Sequence, residues 1–577
     1  MSARLPAAAE ALLILAIVLG PWPYGGAADP ARYGLAALVL FAVALFALGR
    51  ALSREGLPLL ALPAAALPAL GLVQVAVGAS AAPAWTAEAG LVLAAMTAAL
   101  VFWSERARDR AAAVRLAAVV LVVCGAEAVF GAVQWSLAPD RIYGQTTPIV
   151  TTPFGSYVNH NHFAGLMEMG IVLAASMALG LSRLRGGATP GVVGLAGVAF
   201  GLVAVHVASR SRGGLIALAA GLLVAGVLWA RAASHRGGAR RLAPLAIGVL
   251  VVLAFGLAVV PDETRAHLAT IFRGRTDSSG DYRLDVARDT LRLWAAHPVL
   301  GAGLGAYADA FPAFKSAHGE VRTTHAEDDA LEFAAESGLA GLALAAWLAV
   351  LVVRGLALRL RQGRDPFRKA IAVGAAGAVA ALAVHSLFDF NLRLPANALV
   401  FVSLLGLAAS PRDPARRIGA RALPAVAAAA LVALGAAAAW RAAGALALER
   451  SRRDTDPQIL ISALDPILRH HPYLAEGYRA RALAWRDLAI GRMGFAAPRL
   501  DRAERDLSTA LRLRPAWGEA WADLAWTRWM RGDLAGARAA MERALSLDRT
   551  HPHIGRSHGQ LLARLESATR AASAAPK

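Results

Sequence analysis

Charge is scarce in this chain of 577 residues, where Asp, Glu, Lys and Arg make up 17% against roughly 25% in an average soluble domain. A soluble enzyme is therefore a poor description. Lysine is scarcer still, present only at Lys315, Lys369 and Lys577, so the formal net charge of +19 is almost wholly arginine. Those arginines are scattered through short segments and form no clustered basic face, which argues against nucleic acid as a partner. Cysteine is nearly absent. The lone Cys124 lies within an apolar run, so no intrachain disulfide framework exists and cysteine leaves the redox compartment open.

Apolar length takes the place of charge. Apolar residues make up 57% of the chain and gather into uncharged runs such as 57–78, 191–209 and 242–260, each long enough to cross a ~30 Å hydrocarbon layer. The expected fold class is all-α, a polytopic transmembrane helical bundle with about 12–13 spans. They lie near residues 8–21, 33–49, 57–77, 88–103, 112–135, 163–182, 190–208, 213–230, 243–260, 331–353, 370–388, 395–410 and 422–443. The first run ends in Pro21-Trp22-Pro23-Tyr24-Gly25-Gly26 instead of a small-residue cleavage site, so it reads as a retained helix.

Loop charge orients these spans, because Lys and Arg in short loops mark the cytoplasmic side. With the N-terminus inside, the cytoplasmic loops carry Arg50 and Arg54; Arg106, Arg108 and Arg110; Arg183 and Arg185; Arg231, Arg236, Arg240 and Arg241; Arg354 to Lys369; and Arg412, Arg416, Arg417 and Arg421. The early alternate loops are nearly bare: 22–32 holds only Arg32, 79–87 none, and 137–162 only Arg141. The outer side then receives a long loop at about 262–330 and the tail 444–577. It also receives Arg210, Arg212 and Arg393, which break the charge rule. Such residues cost energy at membrane depth unless they line a polar cavity or find partners, which makes them functional candidates; the alternative is that Arg210 and Arg212 snorkel to the interface.

The tail has different chemistry. Ala510, Leu511 and Leu513 recur as Ala544, Leu545 and Leu547, an offset of 34, and Ala520, Trp521, Leu524, Gly532 and Ala537 sit where a tetratricopeptide repeat places its packing residues. An earlier copy aligns Pro472, Glu476 and Tyr478 with Pro515, Glu519 and Trp521. The expectation is a two-domain chain: a membrane domain over 1–443 and a tetratricopeptide-type α-solenoid over 444–577 that offers a concave face to a protein partner.

Chemistry is then sought in the outer loops. Gly301, Gly303 and Gly305 alternate as in a phosphate loop, but without a lysine or a strand–helix context they read as a tight turn. His325 precedes a helix start and could serve as a base, or be an ordinary surface histidine. Asn159-His160-Asn161-His162 offers three readings: a zinc site lacking further ligands, hydrogen bonding to sugar or phosphate, or a cap on the following span. Asp389, Asn391 and Arg393 could line an acceptor path or form an internal polar network.

The order Ser211-Arg212-Gly213, Arg283-Leu284, Trp294, Pro298, Gly301-Ala302-Gly303, His325, Leu331, Glu336 and Gly338 resembles the O-antigen ligase and polymerase family of bacterial inner-membrane glycosyltransferases. Tyr157 to Gly165 and His385 to Asn391 resemble a branch of that family that often ends in tetratricopeptide repeats. The resemblance covers roughly residues 130–410. It implies transfer of glycan from an undecaprenyl-diphosphate carrier to an acceptor hydroxyl in the periplasm, with no cofactor and no metal.

By family position Arg212 and Arg283 hold the diphosphate, with Arg210 auxiliary, and His325 is the base. Arginine suits the role because it stays charged and binds phosphate oxygens in a bidentate manner. Glu327, Asp328 and Glu332 all remain open as the carboxylate that orients His325. Tyr157, Asn159, His160, Asn161, His162, Asp389, Asn391 and Arg393 are the expected substrate contacts. The acceptor is a second carrier-linked glycan, lipid A-core or a protein, and membrane lipid surrounds the bundle. A non-catalytic scaffold or a transporter for polysaccharide export is the alternative class, although no paired broken helices of the transporter kind are visible.

Overall fold

The computed structural model describes residues 4–146, 152–232, 278–319, 321–362, 365–409, 417–419, 422–453, 455–491 and 494–574. The expected span at 243–260 lies outside the described residues, as do Arg236, Arg240, Arg241, Arg364, Arg412, Arg416 and Arg421. The first half of the chain forms α1 (Leu5–Leu19), α2 (Asp29–Leu52), α3 (Ala61–Ala76), α4 (Pro83–Arg106), α5 (Arg110–Leu137), α6 (His160–Arg185), α7 (Pro190–Ala208) and α8 (Arg212–Ala232). Then come α9 (Ser278–Ala296), α10 (Tyr307–Ala310), α11 (Asp329–Gln362), α12 (Pro366–His385), α13 (Pro395–Ala409) and α14 (Ala422–Ser451). Among the described residues nine helices are long and apolar enough to cross a membrane, and α1, α3 and α13 are shorter apolar helices.

Helix starts follow local chemistry. Proline opens α2, α4, α7 and α12, where its missing N–H costs nothing. Asp109, Asn159, Thr189 and Asp365 cap α5, α6, α7 and α12 by accepting from first-turn amides. The expected helix at 57–77 is corrected at its start. Leu57 and Pro58 form a short strand antiparallel to Arg417 and Ile418, because Pro58 disfavours helical backbone at the preceding Leu57.

The centre of the bundle is α6, packed against α7, α8 and α12. Small residues let these backbones approach closely: a Cβ on Gly180 would stand 2.1 Å from that of Ala370, and one on Gly221 would stand 2.6 Å from that of Ala381. This is the packing that apolar solvent favours, since close van der Waals contact replaces the hydrophobic effect between helices.

The arginine-rich short loops meet at one end of the bundle. There Arg50 pairs with Glu105 at 2.9 Å, Arg106 with Glu10 at 2.6 Å, Arg110 with Asp365 at 3.1 Å and Arg417 with Glu55 at 2.9 Å. At the other end the loop after α1 meets the loop after α5, where Ser156 Oγ donates to the Pro21 carbonyl at 2.8 Å and Tyr143 OH to that of Trp22. The segment after α9 reaches the loop before α4, with the Ala81 amide donating to the Ala302 carbonyl at 2.9 Å.

The boundary expected between Ala443 and Gly444 falls inside α14, which runs on to Ser451 without a break. Six helices follow: α15 (Pro457–His470), α16 (Ala475–Ala489), α17 (Ala497–Leu513), α18 (Gly518–Met530), α19 (Leu534–Leu547) and α20 (Pro552–Ala574). Each packs on the next. Their core includes Ala503, Leu507, Ala510, Ala520, Leu524, Ala537 and Ala544.

Candidate functional site

The site is organised by two segments: the turn between α12 and α13, and the run from Thr324 into α11. They are joined by backbone and side chain. The Asp329 amide donates to the Ser386 carbonyl at 2.8 Å, and the Leu392 amide donates to Asp329 Oδ2 at 2.8 Å. Below them α11 kinks at Gly338, whose φ of 61° and ψ of −164° suit only glycine. Pro298 to Gly305 folds onto that kink, with the Leu339 and Ala340 amides donating to the carbonyls of Pro298 and Val299. Gly301, Gly303 and Gly305 all have positive φ, so the three glycines build a tight turn on α11.

His325 stands above α11 with its Nδ1 3.1 Å from Glu332 Oε1. Glu332 is the carboxylate that reaches the imidazole, one helical turn in from the start of α11. Its side chain is 1% exposed against 31% for His325. Glu332 Oε2 also accepts from the Ala326 amide at 2.8 Å, which fixes the loop backbone beside the ring. A carboxylate held on Nδ1 favours the tautomer with the proton there and leaves Nε2 as an acceptor. Phe390 stacks on the imidazole with ring centroids 4.4 Å apart and planes 21° from parallel.

Arg393 lies under this pair. Its Nε is 3.1 Å from Glu332 Oε1 and its Nη2 2.8 Å from Glu336 Oε2, with Asp329 at 3.9 Å. Burial alone would lower the Arg393 pKa, but the surrounding carboxylates hold it above the ordinary arginine value. Arg393 is thus tied into a network of ion pairs with three carboxylates.

His162 also meets Phe390, with ring centroids 4.6 Å apart and planes 71° from parallel, and its Nε2 lies 3.1 Å from Asp389 Oδ1. Burial would raise the Asp389 carboxyl, but His162, His385 and the Phe390 amide hold it well below the usual carboxylate range. Asp389 Oδ2 has no hydrogen-bond partner among the described residues. Glu327, at a left-handed φ of 57°, sits between these groups with Arg283 Nη2 3.7 Å from its Oε2. Burial and the Asp389 charge push the Glu327 carboxyl up, while Arg283, His325 and His162 pull it down. The loop arginine, the loop histidine and the start of α6 thus share one neighbourhood.

Arg210 occupies a left-handed turn, φ 62°, between α7 and α8. Ser211 Oγ accepts from the Gly214 amide at 3.1 Å and so caps α8, which Arg212 opens. Next to it, a Cβ on Gly213 would stand 3.4 Å from His385 Nε2, and His385 Nδ1 lies 3.0 Å from the fully buried Glu168 Oε1. The turn bearing Arg212 therefore rests on the same α12 end that leads to Asp389.

The Tyr157 to His162 segment divides. His162 joins the site, and Asn159 caps α6 through the Asn161 amide at 2.9 Å. His160 and Asn161 begin that helix. Tyr157 and Asn391 are fully buried. Tyr157 OH donates to Asn397 Oδ1 at 2.9 Å, and Asn397 Nδ2 donates to Asn391 Oδ1 at 3.0 Å and to the His162 carbonyl at 2.8 Å. These contacts brace the start of α6 against α13.

Sequence reasoning missed Phe390, Asn397, the Glu168–His385 pair and the role of Glu336. Glu336 could have been found from Glu336-Ser337-Gly338, an acidic residue two positions before a glycine inside an apolar helix. Residues 196–346 match the family model described as O-antigen ligase, and no curated protein matches the chain. The matched stretch contains Arg210, Arg212, Arg283, His325, Glu332 and Gly338. Together with the apolar helices, it supports the O-antigen ligase family and a multi-pass membrane protein with a glycosyltransferase-like role in O-antigen or polysaccharide assembly.

Proposed function

We propose that the chain transfers glycan from an undecaprenyl-diphosphate carrier to an acceptor hydroxyl at the periplasmic face of the bacterial inner membrane, without a metal. The observation that carries this reading is His325 held through Nδ1 by buried Glu332, with Arg283 close by on Glu327 and Arg212 opening the neighbouring helix. Nε2 takes the acceptor proton as the acceptor oxygen attacks the anomeric carbon. The bond from that carbon to the carrier phosphate breaks, and the electron pair leaves with the diphosphate. Arg212 and Arg283 neutralise the charge that grows there, which is transition-state stabilisation by placed cations. Attack opposite the leaving group inverts the anomeric centre.

Polymerisation or assembly of a surface polysaccharide fits better than transfer to protein, because the helical tail offers a surface to partners of an export machinery. The tail is read as tetratricopeptide-like and periplasmic, with the N-terminus in the cytoplasm. Purified protein is mixed with carrier-linked oligosaccharide and, in parallel, with lipid A-core or protein acceptor. A longer carrier-linked chain identifies a polymerase, and a conjugate identifies a ligase. No product with any acceptor from folded protein refutes the transferase. Arg212→Ala and Arg283→Ala are each expected to lower the transfer rate by ~10²-fold or more.

A further inference from the structure

The helical tail does not hang free of the catalytic loop. Arg514, at the end of α17, is 1% exposed. It donates from Nε to Asp309 Oδ2 at 2.8 Å and from Nη2 to Asp309 Oδ1 at 2.5 Å, so that it grips α10 of the long loop with a bidentate fork. Its guanidinium carbon lies 3.7 Å from the Trp85 ring centre and 3.9 Å from that of Trp517. The same α10 is tied to the site, because the Tyr307 amide donates to Glu336 Oε1 at 3.2 Å, and Glu336 pairs with Arg393.

Beside this anchor a cavity of about 220 Å³ opens between loop and tail, walled by Phe311, Arg322 and Thr323 on one side and by Trp517, Glu519 and His551 on the other. Thr323 lies two residues before His325 and bonds Tyr282 OH at 3.0 Å. The volume falls below the ~300–1,000 Å³ of drug-sized clefts, which suits one or two sugar rings of a longer chain. Charge on the walls is balanced and partly paired within the protein: Glu519 lies 3.2 Å from Arg479 and 3.6 Å from His551. A strongly charged ligand gains little there. Apolar surface from Phe311, Pro312 and Trp517 next to hydroxyl, carboxylate and imidazole groups suits a neutral polyhydroxylated ligand with one apolar face, and the buried Trp517 Nε1 has no hydrogen-bond partner among the described residues.

We propose that this cleft is a saccharide subsite that holds part of a glycan chain away from the reacting end and feeds it past His325. The proposal rests on the glycan-transfer reading, and binding is measured separately from transfer. The probe is oligosaccharide released by mild acid from the cell's own lipid-linked glycan, titrated into the full-length protein in detergent by calorimetry. Wild type is expected to bind saturably. Ala516→Phe fills the cleft while removing no hydrogen bond, and is expected to weaken binding about tenfold or more with an unchanged melting temperature. His551→Ala, which removes a partly exposed wall residue, is expected to weaken binding as well and serves as the second variant if Ala516→Phe fails to fold.

Arg212→Ala is expected to bind the saccharide as wild type does. If that variant keeps full transfer as well, the catalytic assignment fails while the subsite stands. Wild-type affinity in both cleft variants, no saturable binding in wild type, or displacement of the sugar by polar peptides with greater affinity would each overturn the subsite.

Discussion

Three histidines at the end of the bundle away from the arginine-rich loops each carry a carboxylate: His162 with Asp389, His325 with Glu332 and His385 with Glu168. Of these three, only His325 has a substantially exposed side chain, which suits the proposed base and leaves the other two as braces. His325→Ala is expected to lower the transfer rate by ~10²–10⁴-fold, the usual worth of general base catalysis, with protein level and melting temperature unchanged. Single-turnover rates on carrier-linked substrate check this. Asp389 yields a pH prediction. Its folded pKa is depressed, so its contribution to stability is present above the unfolded value of about 4 and is lost as pH falls towards the folded value. Asp389→Asn is expected to be less stable than wild type at neutral pH and to lose less stability on acidification to about pH 3. Melting temperatures across that range decide it. The sequence singled out His325 from its place before a helix and its resemblance to a family, but the carboxylate on its ring needed coordinates, because Glu332, the one that reaches it, is farther along the chain than Glu327 and Asp328.

The helix starting at Asp329 shows what an element adds. Its apolar run was legible as a span over 331–353. The left-handed break at Gly338 was not, because a single glycine inside a helical pattern is compatible with a straight helix. The break exposes two amides to the carbonyls of Pro298 and Val299, and this ties the glycine turn to the helix that carries Glu332 and Glu336. A Cβ at Gly338 would stand 2.4 Å from the Val299 oxygen. Gly338→Ala is therefore expected to cost at least ~1–3 kcal/mol from backbone conformation alone, read as a lower melting temperature and slower transfer. The same logic explains α14. Its apolar composition marked a span, yet composition could not show that the helix continues through Gly444 and ends at Ser451, since alanine, arginine and leucine sustain a helix on either side of a membrane boundary.

At the scale of the whole molecule, the tail and the long loop form one connected structure through Arg514. Removing one partner of a buried, hydrogen-bonded ion pair leaves the other charge uncompensated and typically costs ~3–5 kcal/mol. Arg514→Ala is expected to raise the protease sensitivity of residues beyond Ser451 and to slow transfer, although no atom of Arg514 touches the reacting groups. Arg514→Lys is expected to rescue poorly, because an ammonium cannot reproduce the fork on Asp309. Limited proteolysis with an assay of transfer checks both. A reporter fused after residue 450 is expected to be periplasmic, and a cytoplasmic signal would reverse the assigned orientation.

Composition, apolar length and the placement of arginine were enough to establish a helical membrane protein and to single out the few arginines that break the loop-charge pattern, because hydrophobic burial and the cost of membrane charge act on local sequence. The meeting of Arg283, His325, His162, Asp389 and Arg393 around Phe390 was settled by packing. Those contacts span more than a hundred residues of chain between His162 and Arg393, and their geometry depends on how α6, α11, α12 and α13 approach one another, which no run of neighbouring residues encodes.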